Sequence, residues 1–129
     1  MSASLSSKTV LLGLSLTLSP AAFAETLTGP QRNAVRSAES YLAFAGFSRT
    51  GLIEQLSSAF GDGYDVADAT VAVDSLGVDW NRQAVRSADS YLSFMGFSCN
   101  GLIEQLSSDA GDGFTVQQAQ FGAQQAGAC

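Results

Sequence analysis

The chain has 129 residues, 12 acidic side chains against 6 basic ones and no His, for a formal net charge of −6. That balance repels phosphate backbones, so neither nucleic acid nor an anionic membrane surface is expected as a partner. The length allows one compact domain or two very small ones, each marginal alone, and the lack of His removes the commonest general base and metal ligand.

The first stretch places Lys8 ahead of an apolar run from Val10 to Leu18, then Pro20 and Ala22-Phe23-Ala24. This is the order of a secretory signal peptide: a basic start, a short apolar run and an A-x-A cleavage site. The run is too short for a spanning helix, which takes about 20 apolar residues. Residues 1–24 are read as the signal peptide and 25–30 as a leader. Cleavage after Ala24 leaves 105 residues and, with Lys8 gone, a formal charge of −7. No Cys stands near the cut, so the expected product is periplasmic or secreted and not lipid-anchored.

Everything after the leader is one unit written twice. Ala34-Val-Arg-Ser-Ala38, Ser40-Tyr-Leu-Ala-Phe-Ala-Gly-Phe-Ser48, Gly51-Leu-Ile-Glu-Gln-Leu-Ser-Ser58 and Gly61-Asp-Gly-Tyr64 recur, nearly verbatim, 50 residues later. A fixed period without gaps marks a supersecondary unit used in tandem. Residues 31–80 form the first copy and 81–129 the second.

Within each copy the spacing predicts three helices. Helix A covers about Gln31–Ala45 and Asn81–Met95, with Pro30 at a helix start and Asp79 as N-cap. Ala34, Ala38, Tyr41, Leu42 and Ala45 share one face. Gly46 and Gly96 are expected to end it in a left-handed conformation. The aromatics Tyr41, Phe44, Phe47, Tyr91, Phe94 and Phe97 are assigned to the core. Helix B covers about Arg49–Ala59 and Cys99–Ala110, capped by Ser48 and Ser98, with Leu52, Ile53, Leu56 and Phe60 apolar. After the Gly61-Asp-Gly63 turn, helix C begins at Asp65 or Thr115. Asp65-x-x-Asp68 is a weak capping pair; Thr115-x-x-Gln118 matches a capping box. Val66, Ala69, Val73 and Leu76 make the inner face, thinned to Val116, Ala119, Ala123 and Ala126 in the terminal copy. Trp80 falls at the junction. The fold expected is all-α: two tandem three-helix repeats packed as one small domain.

Two Cys in an exported chain are candidates for a disulfide. At the repeat offset Cys99 aligns with Arg49 and Cys129 with Asp79. If those positions touch, the first copy joins them by an ion pair and the second by a covalent bond. A loop of about 30 residues closed this way adds roughly 3–4 kcal/mol.

Sites for chemistry are sparse. Gly61-x-Gly63 follows a helix and does not match dinucleotide binding. Asp62-Gly-Tyr-Asp65 lacks the alternating acids and final Glu of a calcium loop. No metal or cofactor is expected. Glu54 and Glu104 could pair as a glycosidase acid and base, but each belongs to its own copy, near a helix start where the dipole favours negative charge. Arg32 and Arg36, and Arg82 and Arg86, are spaced i, i+4 along helix A. They form either a partner-binding ridge or a solvated face with pairs such as Arg36–Glu39 and Arg86–Asp89.

The run Ala-Val-Arg-Ser-Ala-x-Ser-Tyr-Leu-x-Phe-x-Gly-Phe-Ser-x-x-Gly-Leu-Ile-Glu-Gln-Leu, at Ala34–Leu56 and Ala84–Leu106, resembles the repeat of the Ltp family. The joining segment Ala72-Val-Asp-Ser-Leu-Gly-Val-Asp-Trp-Asn81 does too. These are host-cell-surface-exposed lipoproteins. The resemblance implies tandem helix-turn-helix units that do not bind DNA. It also implies superinfection exclusion, in which an exported protein stops phage DNA entry by engaging the phage tape-measure protein. The chain departs from the family in lacking a lipobox Cys and in carrying Cys99 and Cys129.

The expected function is therefore an exported, non-enzymatic binding protein of the phage-exclusion kind. Its expected partner surface comprises Arg32, Arg36, Arg82, Arg86, Asp62 and Asp112. The alternative is a structural or adhesive envelope module that binds a cell-wall polymer or an envelope protein.

Overall fold

The computed structural model describes residues 26–129; the signal-peptide reading of residues 1–24 lies outside them. Six helices follow in order: α1 (Gly29–Phe44), α2 (Arg49–Ser57), α3 (Val66–Ser75), α4 (Trp80–Phe94), α5 (Cys99–Ser107) and α6 (Val116–Gln125). Among the described residues there is no strand, and the fold is all-α. The first three helices form repeat 1 and the last three repeat 2.

Caps set most of the helix starts. Ser48 and Ser98 accept from the Gly51 and Gly101 amides, and Asp79 accepts from that of Arg82. Thr115 and Gln118 form a reciprocal capping box. The start of α1 is set by Thr28, whose capping box with Gln31 the sequence reading did not pick out. Asp65 makes no side-chain cap bond.

The ends of α1 and α4 differ from expectation. Ala45 and Met95 leave the helix in extended backbone, and neither Gly46 nor Gly96 is left-handed. Left-handed glycines instead follow α3 and α6, at Gly77 (φ 61°) and Gly127 (φ 88°), where a side chain would strain the turn.

Each repeat has its own core. In repeat 1, Ala38, Leu52, Leu56, Ala69 and Val73 are fully buried. In repeat 2, Ala84, Ala88, Leu102, Leu106, Phe114, Ala119 and Ala123 form the equivalent cluster. Small residues on α1 and α4 let α3 and α6 approach closely, and the Leu pairs of α2 and α5 fill the space between. Trp80 opens α4 yet packs against the core of repeat 1, bridging the junction. Tyr41–Phe47 and Tyr91–Phe97 make the same edge-to-face contact, at 5.8 and 5.6 Å between ring centroids.

Several residues assigned to the interior are outside. Phe44 is 92% exposed, Phe94 85% and Phe60 fully so; Val66 and Val116 are also exposed. Phe44 lies roughly 90° from the Ala34/Ala38/Tyr41 stripe at 100° per residue, and Phe94 repeats that phase. Phe60 lies beyond the end of α2 and Val66 at the first position of α3, so neither has a neighbouring turn to cover it.

Cys99 and Cys129 are joined, with Cα atoms 4.7 Å apart. The start of α5 and the chain end beyond α6 therefore lie side by side, as an antiparallel pair requires. Repeat 1 differs in its partner: Arg49 pairs with Asp74, at 2.7 Å from Nε to Oδ1 and 2.9 Å from Nη2 to Oδ2, and not with Asp79. Asp79 instead caps α4 through the Arg82 amide.

Candidate functional site: the joint between the repeats

Helix packing is concentrated within each repeat. The repeats meet through the turn after α1 and the start of α2 on one side, and through α4 and the Gly111-Asp-Gly113 turn on the other. Ser48, 2% exposed, donates its hydroxyl to the Asp112 carbonyl while capping α2. The Thr50 hydroxyl donates to the Gly113 carbonyl at 2.8 Å. Arg86 reaches back to the Leu42 carbonyl at 2.7 Å and to Gln83 Oε1 at 3.0 Å. Gly46 is pressed on α4: a Cβ there would stand 2.6 Å from Ser87 Oγ and 2.9 Å from the Gln83 carbonyl oxygen. The joint is thus mostly hydrogen bonds to loop carbonyls around a glycine contact.

Under the joint, each repeat ties its turn to its first helix. Tyr41 donates to Asp62 Oδ1 and Tyr91 to Asp112 Oδ1, both at 2.8 Å. Gln55 and Gln105 donate to the same tyrosine oxygens. The electrostatics of the two copies differ because only the second is covered. Burial pushes the Asp112 carboxyl above the ordinary carboxylate value, against the opposing effect of the Tyr91 hydrogen bond. Burial also leads the upward shift of Tyr91, with the Asp112 hydrogen bond second, whereas the hydrogen bond to Asp62 leads for Tyr41.

Two clefts of about 390 and 420 Å³ open along this joint, and both touch Gly46 and Asp112. The first is lined by Phe47, Ser48, Glu54, Gln55 and Phe60. The second is lined by Phe44, Arg86, Ser90, Tyr91 and Phe94. The exposed phenylalanines therefore line the clefts, Phe44 and Phe94 beside Arg86 and Asp112 in the second and Phe60 beside Glu54 and Asp112 in the first. This arrangement suits a peptide or protein surface with apolar side chains.

Of the six residues assigned to a partner surface, the structure brings only Arg86 and Asp112 together, in the second cleft. Both are half-buried and engaged in the joint. Arg32, Arg36, Arg82 and Asp62 are exposed. Arg32 hydrogen-bonds the Leu27 carbonyl, and Asp62 accepts from Tyr41. Among the described residues the one salt bridge is Arg49–Asp74, so the Arg36–Glu39 and Arg86–Asp89 pairs do not form. Glu54 lines the first cleft, while its counterpart Glu104 is exposed on α5 and lines neither. Among the described residues no three of His, Cys, Asp and Glu converge as a metal site requires. The sequence reading assigns Phe44 and Phe94 to the core and Phe60 to the apolar positions of the second helix, and so misses the aromatic rims; the helical phase of Phe44 and Phe94 is the available signal.

The architecture has a solved counterpart. The structure of Ltp, a superinfection exclusion protein from the Streptococcus thermophilus temperate phage TP-J34, aligns with a TM-score of 0.68 and 30% identity. The alignment covers 76% of this chain and 96% of that one. No curated protein matches the chain. A family model described as "Host cell surface-exposed lipoprotein" (Lipoprotein_Ltp) matches residues 30–76 and again 79–125, one match for each repeat. That description is consistent with export, and among the described residues no helix is long and apolar enough to cross a membrane. With both repeats matched over most of its length, the chain belongs to the family of host cell surface-exposed lipoproteins, Lipoprotein_Ltp.

Proposed function

We propose that this protein acts as an exported, non-enzymatic binding protein of the superinfection-exclusion kind, and that its partner docks on the clefts at the repeat joint. The observation that carries the reading is the placement of Phe44, Phe94 and Phe60, the most exposed large apolar side chains among the described residues, on those clefts. Exposed aromatics at a groove are more often recognition elements than packing elements. Membership in the family and the likeness to a superinfection exclusion protein support the general kind. Glu54 and Glu104 stand in separate repeats, which favours binding over acid–base catalysis. The partner proposed is a phage protein that must pass the envelope with the DNA, such as the tape-measure protein. The place of action proposed is the periplasm or cell exterior.

The test is phage infection of cells with and without the protein, scoring adsorption and DNA entry separately. Normal adsorption with blocked DNA entry is expected. A variant carrying Phe44→Ser and Phe94→Ser, which alters only exposed positions, is expected to fold normally and lose the block. No effect on any of a broad phage panel would overturn the exclusion reading. Full blocking by the double variant would move the docking site away from the second cleft.

A further inference from the structure

The contact between the repeats has two different halves, and each half recurs in the other repeat, where among the described residues it is exposed. Repeat 1 contributes the Leu42 carbonyl, Gly46, Ser48 and Thr50; repeat 2 contributes Arg86, Ser87 and the carbonyls of Asp112 and Gly113. At the 50-residue offset the first half recurs in repeat 2 as Leu92, Gly96, Ser98 and Asn100. The second half recurs in repeat 1 as Arg36, Ser37, Asp62 and Gly63. Seven of these eight positions carry the same residue in both repeats; Asn100, in place of Thr50, keeps a side-chain donor, and Gln83, which also meets Gly46 and Arg86, recurs as the shorter amide Asn33.

Burial separates the used halves from the unused ones. Ser48 is buried, but Ser98 is exposed. A Cβ at Gly46 would collide with Ser87, while one at Gly96 would meet nothing within 4 Å. Gly113 faces Thr50, while Gly63 has open space. Arg86 and Asp112 are half-buried, but Arg36 and Asp62 are exposed. The disulfide beside Ser98 leaves that face open. Ser37 is held by the Tyr64 hydroxyl; its counterpart Ser87 enters the joint as the surface on which Gly46 packs, and Ser37 can offer the same surface.

We propose that copies of this chain associate head to tail, with the Leu92–Asn100 face of one docking on the Arg36, Ser37, Asp62 and Gly63 face of the next. The Ser98 hydroxyl then donates to the Asp62 carbonyl, Asn100 to the Gly63 carbonyl, and Arg36 to the Leu92 carbonyl, repeating the internal joint. The two faces differ, so the contact is heterologous, and each added copy leaves one of each face free. Inside the chain the short linker supplies an effective concentration of roughly millimolar order. Between copies that help is absent, so association belongs to the weak, concentration-dependent class. Repulsion between acidic copies is screened beyond about 8 Å at physiological salt.

Sedimentation equilibrium of the purified protein tests this, from about 10 μM to about 1 mM in 0.15 M salt, bracketing the weak regime set by the lost linker. The weight-average mass is expected to rise with concentration, with species larger than a dimer at the upper end. Gly96→Trp disables one face and Arg36→Glu the other. Both change exposed positions, and far-UV circular dichroism checks that both fold. Each variant alone is expected to stay monomeric, while their mixture forms a dimer that grows no further. A monomer throughout, growth by either single variant, or a mixture that stays monomeric would overturn the proposal.

Discussion

Removing the covalent bond of repeat 2, by Cys99→Ser with Cys129→Ser, exposes how differently the two copies are held. The bridge closes a loop with a sequence separation of 30. Loop-closure entropy for that length amounts to about 3.6 kcal/mol at 25 °C. The corresponding link in repeat 1 is Arg49–Asp74, whose side chains are 43% and 49% exposed. An ion pair so open to solvent contributes about 0–1 kcal/mol. Repeat 2 also has the thinner last helix, with Gly122 and Ala123 where repeat 1 has Ala72 and Val73. That helix therefore brings less apolar surface to hold the chain end once the bridge is gone. Urea unfolding followed by far-UV circular dichroism is the assay. With a slope near 1.5–2 kcal/mol/M, the transition of repeat 2 should move down by roughly 2 M. Arg49→Ala with Asp74→Ala should move repeat 1 by less than about 0.7 M on the same scale. A serine variant that loses less than about 1 kcal/mol would refute the loop-entropy reasoning.

Gly122 sets the closeness of α4 and α6: a Cβ there would lie 2.7 Å from the backbone carbon and oxygen of Ala84. Gly122→Ala gains about 1 kcal/mol of helix propensity, yet forces two backbones apart at roughly 1–3 kcal/mol. The melting temperature is expected to fall, and a rise would show that α6 shifts freely. Gly46→Val should separate the repeats while leaving both cores folded. The expected signature is a larger radius of gyration with unchanged helix content; an unchanged radius would contradict the glycine contact. The pH dependence of the two copies should be opposite in sign. The hydrogen bond from Arg49 holds Asp74 below its ordinary value of 3.8, so its contribution is present above that value and lost as pH falls through the folded value. Burial raises Asp112, so its contribution is present below 3.8 and lost as pH rises through the folded value. Acid is therefore expected to weaken repeat 1 first, reported by Trp80 fluorescence, and Asp74→Asn should remove that early phase. An unaltered acid transition in Asp74→Asn would contradict the assignment.

The partner of Arg49 shows how far alignment of the copies can reach. Aligning Cys99 with Arg49 correctly placed a link at the start of the second helix in both repeats. Aligning Cys129 with Asp79 failed for the first copy, because Asp79 is engaged by the Arg82 amide and Arg49 takes Asp74 instead. Asp79 caps α4, whereas Cys129 is bonded to Cys99. Arg36 and Arg86 share a helical position in sequence, but only Arg86 has a second repeat to reach, so one is exposed and the other engaged.

The sequence by itself determined the repeat, the three helices of each unit and most of their caps, because these depend on spacing and on local hydrogen bonds, and it made Cys99 and Cys129 candidates for the bond that the structure shows. Ser48, Ser98, Asp79 and Thr115 cap their helices through neighbours within three residues, and the Ala and Leu positions follow helical phase. Only the tertiary structure decided what lies between the repeats. Whether Ser48 is buried while the identical Ser98 is exposed, or whether Asp112 loses water while Asp62 keeps it, depends on which copy has a neighbour. Two nearly identical segments carry no such information. The same holds for Phe44 and Phe94: their phase takes them off the inner stripe, but the cleft that makes them a surface exists only where one repeat rests on the other.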